Sequence, residues 1–329
     1  MKTTMQKQEL ETSRSRGLVL HIGMPKTGTT TLQKLLFENH PGIYYLGKKK
    51  QLPYGRNCRS ELVYQLLNPL LWEHSQVPDL EVGKRFFEEL ERNGESNKVI
   101  VGSWEGLCDS AIPFHIESLR RIIAIFGACK IMICLRSPNQ LIASRYLQSL
   151  RGRQSLKNRR IMGRNWYLDI DQWMEKWHAS GSFQRFLSYG QRIRDTIDLL
   201  GKENVAVYLF EDLCQDQNHF TQSVCKFLGV DEQEGVRWMN EGHLHTRLTQ
   251  GQVDFLMRIQ SSFWTRCWAN RQSPEKQREM IEQHGSEGVP AKAELPKHWL
   301  PKIADATRDG NRWLVDNLQL PLEKYNYPL

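Results

Sequence analysis

A glycine- and threonine-rich segment near the N-terminus carries the residue types that bind phosphate groups. It reads GMPKTGTTT and spans residues 23–31, directly after the apolar run 18–22. A helix that begins there presents backbone N–H groups without intrahelical partners, and its dipole adds partial positive charge. Gly28 lets the backbone approach an anion closely, and Lys26 supplies a full charge. Thr29 and Thr30 supply hydroxyl donors. The segment predicts an anion site, the alternative being a plain strand–helix turn.

The spacing of this segment is close to that of a Walker phosphate loop, GxxxxGK[ST], but differs at one position. Thr29 stands where the Walker motif has its lysine, and Lys26 stands two residues before the second glycine. This difference argues against a kinase or NTPase, which is one alternative function for a chain with such a loop. Such an enzyme also needs an acidic Mg²⁺ ligand at a strand end, and Glu211 with Asp212 is the only candidate pair in the sequence.

Arg136 and Ser144 form a second candidate anion site farther along the chain. The apolar run 131–135 predicts a buried strand, and Arg136 follows it directly. The next residues, Ser-Pro-Asn-Gln, match an N-cap, a first helical position and a capping box, so Ser144 is predicted about two turns into a helix. Arginine makes bidentate contacts with phosphate, and parallel sheets bind ligands at the carboxyl ends of their strands. The alternative is a surface arginine beside a neutral helix serine.

A parallel sheet is needed to bring these motifs to one edge. Four short apolar runs, 18–22, 99–101, 131–135 and 205–210, predict buried strands, and helical patterns separate them. Strands that alternate with helices predict an α/β fold. After Gly229 the pattern is mainly helical, which predicts a cap on the sheet.

The overall composition favours an anionic partner. Lysine and arginine number 45 against 37 aspartates and glutamates in 329 residues, giving a net charge of +8. A basic protein that binds nucleic acid is therefore the third function considered, but no helix-turn-helix, zinc-finger or RNA-binding signature supports it. The polar segment 1–16 predicts a flexible tail without a signal peptide, and no apolar run is long enough to span a membrane. With seven dispersed cysteines, these features predict a cytoplasmic protein.

Three stretches resemble the sulfotransferases that use 3′-phosphoadenosine-5′-phosphosulfate (PAPS). The PKTGTT at 25–30 resembles the family's 5′-phosphosulfate loop, PK[ST]GTT. The LRSP at 135–138, followed by Ser144, is similar to its 3′-phosphate motif. The YLFEDL and FLGV sequences between 208 and 230 are similar to its strand–EDL–helix–FLG region. Thr31 stands where the cytosolic members have tryptophan, as in many bacterial and glycan-type members.

The resemblance, which covers residues 18–230, implies a fold and a domain organisation. The fold is α/β, with three layers around a central, mostly parallel sheet flanked by helices, of the P-loop NTPase-like sulfotransferase type with a helical C-terminal part. We expect a single domain over 17–329, with a nucleotide-binding core at 17–230 and a helical cap at 231–329.

The resemblance also implies the donor and its site. PAPS is the expected co-substrate, 3′,5′-adenosine diphosphate (PAP) the product, and no metal is required. The residues implied in donor binding are Lys26, Thr27, Gly28, Thr29, Thr30, Thr31, Arg136 and Ser144.

Sulfuryl transfer to a hydroxyl needs a base and a group that stabilises the leaving oxygen. Lys26 suits the second task. Glu105 is the candidate base, because it follows the predicted strand at 99–101 at the sheet edge that carries the phosphate loop, as a Glu or His does in glycan members of the family. A solvated loop glutamate is the alternative. His115 is the second candidate base, whereas His21 lies inside a strand and is predicted to be a core histidine.

The basic segment 151–164 predicts a loop that borders the acceptor site, or else a solvated charged loop. The first interpretation favours an acidic or oligosaccharide acceptor, with no nucleic-acid partner. Trp173 and Trp177 are four residues apart on a predicted helix, a spacing more typical of core packing than of sugar stacking.

Overall fold

The computed structural model describes residues 17–51, 57–71, 79–109, 112–151, 165–242, 248–284 and 288–329. The predicted tail at 1–16 and nearly all of the basic segment 151–164 lie outside the described residues. The chain divides into two compact units, Met1–Arg136 with Gln191–Leu244, and Ser137–Gly190 with His245–Leu329.

Seven β-strands are present in the described part of the chain. They are β1 (Leu18–His21), β2 (Ile43–Tyr45), β3 (Gly47–Gln51), β4 (Asn57–Cys58), β5 (Val99–Ser103), β6 (Cys129–Leu135) and β7 (Val205–Leu209). Five of them form a parallel sheet in the order β2-β5-β1-β6-β7, and β3 pairs antiparallel with β4.

The helices account for most of the remaining described residues. They are α1 (Thr29–Thr31), α2 (Glu61–Leu71), α3 (Leu80–Arg92), α4 (Ile112–Phe126), α5 (Pro138–Arg151), α6 (Ile170–Ala179), α7 (Ser182–Leu187), α8 (Tyr189–Leu200), α9 (Phe210–Gln215), α10 (Gln217–Leu228), α11 (Glu232–Asn240), α12 (Gln250–Ser261), α13 (Phe263–Asn270), α14 (Pro274–Gln283) and α15 (Leu300–Leu318). Helix α1 continues directly into a π-helical segment, Leu32–Phe37. In the described part of the chain, no helix has both the length and the apolar character that a bilayer crossing requires.

The core of the first unit explains why its strands could be recognised from the sequence. β1 lies between β5 and β6 and is buried along its whole length. Strands covered on both faces carry continuous apolar runs rather than alternating ones. Val19 and Met132 from the sheet pack in one cluster with Leu36, Val224 and Met239, which come from the π-helical segment, α10 and α11.

The second unit is helical, and its described centre is aromatic. Trp166, Trp173 and Trp177 are fully buried, and the rings of Trp173 and Trp177 lie 5.0 Å apart. The prediction that Trp173 and Trp177 pack in the core is confirmed. Within this unit the backbone at Gly190 lies close to that at Gly310, because a Cβ on Gly190 would lie 2.4 Å from the Cα of Gly310.

The predicted fold class is confirmed, since a central parallel sheet is flanked by helices. All four predicted strands are present, as is the predicted helix after Ser137. The pattern analysis missed β2, β3 and β4, which are short; β2 has three residues, too few to show a strand period. The helix that was predicted to begin at the phosphate loop is π-helical over Leu32–Phe37.

Candidate functional site

The phosphate loop follows β1 and stays attached to the sheet through its first half. The Ile22 and Met24 amides donate to the carbonyls of Met132 and Cys134 at 2.9 and 3.0 Å, so pairing with β6 continues beyond β1. The Thr27 hydroxyl, fully buried, donates to the carbonyl of Met24 at 2.6 Å. The loop is therefore held on both sides of Lys26 before the helix begins.

Lys26 and Gly28 take left-handed backbone conformations, with φ of 70° and 80°. Gly28 needs this freedom and also needs its missing side chain, because a Cβ there would lie 2.6 Å from Cδ2 of Leu213. A non-glycine residue with positive φ is uncommon and costs backbone energy, and such residues cluster at ligand-binding sites. Lys26 is thus held in an unusual conformation at the turn where the lysine was predicted to meet the donor.

Glu105 lies beside the start of the helix. It opens the 3₁₀ turn Glu105–Asp109, two residues after the end of β5, and the hydroxyl of Thr29 donates to its Oε1. Thr29 is buried and Glu105 is half-buried. The structure therefore brings the predicted base into direct contact with a residue of the phosphate loop, which the sequence alone could only place at the same sheet edge.

A polar cluster behind the loop supports this arrangement. Ser103 lies opposite His21 in the β1–β5 register, and its Oγ is 2.8 Å from Nδ1 of His21. Nε2 of Gln33 donates to the same Ser103 Oγ at 2.9 Å. These contacts connect β1, the π-helical segment and the end of β5, two residues before Glu105. The sequence analysis missed Ser103 and Gln33, and a sheet register would have been needed to find them.

His21 confirms the prediction of a core histidine. It is 1% exposed, and burial lowers its pKa to about 3, so the imidazole is neutral near neutral pH. A Cβ on Gly23 would lie 2.7 Å from Nε2 of His21, so the first glycine of the loop leaves room for this ring.

Arg136 lies directly after β6 and reaches the phosphate loop. Its Nη1 donates to the carbonyl oxygen of Lys26 at 3.2 Å, and its guanidinium carbon lies 4.6 Å above the ring of Phe210. The side chain is thereby held by the loop on one side and by the first residue of α9 on the other. Two residues with cationic side chains, Lys26 and Arg136, thus follow the carboxyl ends of β1 and β6.

The other predicted site residues have separate positions. Thr30 is exposed and Thr31 half-buried at the start of the helix, where backbone N–H groups have no intrahelical acceptor. Ser144 lies in α5, which belongs to the second unit. His115, the second candidate base, is fully buried, with its Nε2 2.8 Å from the hydroxyl of Thr196. Burial and nearby Arg192 lower its pKa to about 3.

The acidic pair that the sequence offered as a Mg²⁺ ligand lies just after a strand of the sheet. Glu211 and Asp212 lie in the first turn of α9, directly after β7, and Glu211 is buried. In the described part of the chain, no three His, Cys, Asp or Glu side chains are arranged as a metal site.

The sequence was compared with models of known protein families and with curated proteins. The model of the sulfotransferase family matches residues 19–234, about two thirds of the chain. None of the curated proteins matches the sequence significantly.

Solved structures of sulfotransferases are also similar. One from Alicyclobacillus acidocaldarius is 22% identical over 66% of this chain and 83% of its own, with a TM-score of 0.42. One from Mycobacterium tuberculosis is 13% identical over 77% and 78%, with a TM-score of 0.44. A mouse sulfotransferase complexed with PAP is 15% identical over 83% and 84%, with a TM-score of 0.39. The match to the family model covers most of the first unit, including the loop, Glu105 and Arg136. The chain therefore belongs to the sulfotransferase family, the PAPS-dependent family that its phosphate loop and Arg136 motif resemble.

Proposed function

We propose that this protein transfers the sulfuryl group of PAPS to an acceptor hydroxyl or amine by in-line displacement, with Glu105 as the base. The acceptor oxygen or nitrogen forms a bond to sulfur while the bond from sulfur to the 5′-phosphate oxygen breaks. Glu105 takes the proton that the acceptor loses. The Lys26 ammonium neutralises the charge that develops on the leaving phosphate oxygen.

The observation that carries this proposal is the hydrogen bond from Thr29 to Glu105. A base is useful only if it stands next to the group that is transferred, and the phosphate loop defines where that group is bound. Thr29 belongs to the loop–helix junction, so its bond to Glu105 connects the two functions. His115 is less suitable, because its ring is fully buried and bonded to Thr196.

The donor site that we propose depends more on backbone amides than on hydroxyl groups. The Thr27 hydroxyl is used by Met24 and the Thr29 hydroxyl by Glu105. Thr27 and Thr29 would therefore bind the 5′-phosphosulfate through their backbone N–H groups at the helix start. The backbone N–H groups of Gly28, Thr30 and Thr31 would bind it in the same way. Lys26 supplies the charge next to these amides.

For the 3′-phosphate we propose Arg136, with Ser144 as the second residue that the family motif implies. Arg136 has the chemistry for this role, because a guanidinium contacts phosphate through two parallel hydrogen bonds. Its contact with the carbonyl of Lys26 gives it a further effect. Because Arg136 contacts the loop, a phosphate bound to Arg136 would also affect the position of the loop that holds the 5′-phosphosulfate.

Binding of PAP tests the donor site without any knowledge of the acceptor. We expect PAP to raise the unfolding temperature in EDTA, since a ligand at about a hundred times its dissociation constant stabilises by about 2.7 kcal/mol. Lys26→Ala and Arg136→Ala should weaken PAP binding, whereas Lys34→Ala and Arg120→Ala, at exposed positions, should not. Stabilisation by ATP with Mg²⁺, but not by PAP, would replace this proposal with the kinase alternative.

Turnover tests the base. Glu105→Gln keeps the shape of the side chain and the capacity to accept from Thr29, but cannot take a proton at neutral pH. We expect kcat to fall by about 10² to 10⁴ while PAP binding is kept, with the exposed Glu88→Gln as the control. Unchanged kcat would remove Glu105 from the mechanism and leave the donor site intact.

We propose a carbohydrate as the acceptor, with an acidic oligosaccharide as the first choice. Thr31 matches the glycan-type members of the family, and the basic segment 151–164 would attract an acidic chain. Radiolabelled PAPS offered with neutral sugars, acidic oligosaccharides, phenols and lipid alcohols would test this choice. Labelling of a phenol or lipid alcohol, but of no sugar, would contradict it.

A further inference from the structure

A cluster of large apolar side chains in the second unit faces solvent. Across the described residues, seven large apolar side chains are exposed, and four of them lie within twelve residues of one another. These four form what we call the aromatic patch: Met257 (45% exposed), Phe263 (62%), Trp264 (79%) and Trp268 (54%). Single exposed apolar residues are normal, but a contiguous group of aromatic ones marks an interaction surface.

Helix α13 presents its large apolar residues outward rather than to the core. Its buried residue is the small Ala269, whereas Phe263, Trp264 and Trp268 are exposed. Trp264 and Trp268 are one helical turn apart and lie on the same face, and the rings of Phe263 and Trp264 are 5.6 Å apart in an edge-to-face arrangement. Packing within the unit therefore does not account for these side chains.

Three arginines lie close to the aromatic patch along the chain. Arg258 follows Met257 on α12, Arg266 has its guanidinium 6.0 Å from the ring of Phe263, and the Arg271 amide donates to the carbonyl of Trp268. Residues 255–274 contain three arginines and no aspartate or glutamate. The patch is thus both apolar and positively charged.

We propose that the aromatic patch docks this protein on an anionic lipid surface. Tryptophan is the residue most typical of the membrane interface, because its ring is apolar at one end and donates a hydrogen bond at the other. Arginines beside it add attraction to acidic headgroups. The combination of outward aromatic residues on one helix and flanking cations is that of an interfacial membrane helix.

Charge and shape favour a lipid surface over other occupants. A second copy of the chain, paired through a twofold axis, would bring the same patch against itself and oppose three arginines with three arginines. A sugar bound by stacking is usually held in a concave site, whereas these rings project from the outer face of a helix. An acidic bilayer surface matches both the cations and the row of exposed rings.

Flotation with lipid vesicles tests the proposal directly. The full chain should float with vesicles of phosphatidylcholine containing about one third phosphatidylserine, and binding should weaken with salt and be much lower with phosphatidylcholine alone. The double change Trp264→Ala and Trp268→Ala should lower the partition coefficient at least about tenfold. Leu80→Ala, which removes an exposed leucine on α3, is the control and should leave it unchanged.

A charge series separates electrostatic from apolar binding. Replacing Arg258, Arg266 and Arg271 by glutamine should lower the partition coefficient about fivefold for each arginine. The matched triple change, at the exposed arginines Arg120, Arg185 and Arg312, should have a much smaller effect. Unfolding temperature and PAP binding are measured for every variant, so that loss of folding is distinguished from loss of docking.

Several results would overturn the proposal. Equal flotation with neutral vesicles, no flotation at low salt, or wild-type flotation by the aromatic double variant would each do so. Loss of a dimer in sedimentation, or loss of DNA binding, in the aromatic variant without loss of flotation would assign the patch to that partner instead. Sulfotransfer activity is not needed for any of these outcomes, so the test is independent of the proposed acceptor.

Discussion

The contact between Thr29 and Glu105 can be tested by a double-mutant cycle on stability. Thr29→Val removes the hydroxyl but keeps the branched shape at a position that is only 3% exposed. Glu105→Ala removes the carboxylate that accepts the bond. If the bond forms in solution, the losses in unfolding free energy will not be additive, because the first change already breaks the bond that the second would break.

The size of the coupling follows from the burial of the two partners. A hydrogen bond to a charged group contributes about 1.5–3 kcal/mol, and the half-exposure of Glu105 places the expected value near the lower end. We therefore expect a coupling free energy of about 1–2 kcal/mol between Thr29 and Glu105, in which either single change is costly and the second adds little.

Urea unfolding of the wild type, the two single variants and the double variant measures this coupling. Thr307→Val is the matched control, because Thr307 is also buried but its hydroxyl donates to the carbonyl of Ile303 in its own helix. Combined with Glu105→Ala, it should be additive within about 0.5 kcal/mol. Additivity of the same size for Thr29→Val with Glu105→Ala would refute the contact and, with it, the observation on which the proposed base depends.

Two further predictions concern stability. Gly190→Ala should destabilise by about 3 kcal/mol or more, because the new Cβ would meet the Gly310 backbone at 2.4 Å, whereas Gly83→Ala meets only a side chain at 3.1 Å and should cost less; equal urea midpoints for the two variants would contradict this. His21 and His115 have pKa values lowered to about 3. In the unfolded chain these histidines bind protons as the pH falls below about 6.5, whereas in the folded chain they stay neutral until the pH is near 3. Their stabilising contribution is complete above about pH 6.5 and declines towards pH 3, reaching a loss of up to about 2 kcal/mol per histidine at pH 5. Urea unfolding at about pH 5 and pH 7.5 should show a smaller pH dependence for His115→Gln than for the wild type, and an unchanged dependence would contradict the assignment.

Several elements could be predicted because their signals are local. The aliphatic runs of β1, β6 and β7 are long enough to be recognised, since strands covered on both faces carry continuous apolar sequence. The Ser-Pro pair after Arg136 predicted the start of α5 at its true residue, Pro138. The Trp173 and Trp177 spacing predicted core packing, which the structure confirms.

Other features escaped prediction because their causes are not local. β2 has only three residues, and its partner β5 is more than fifty residues away in the chain, so its assignment depends on pairing rather than on pattern. The π-helical segment has good α-helix formers such as Leu35 and Leu36. Local helix propensity therefore does not account for its wider turn.

The sequence by itself determined the chemistry that the loop offers. Lysine, two glycines and three threonines between a strand and a helix provide charge, close backbone approach and unpaired amides, and the order of these residues separates the loop from a Walker motif. The family resemblance depends on the same local residues.

The tertiary structure decided which of these groups are left to act on a ligand. It directs the Thr29 hydroxyl to Glu105. It also buries His115 against Thr196. The physical reason is that hydrogen bonds between residues about eighty positions apart depend on sheet order and register, which no local pattern encodes.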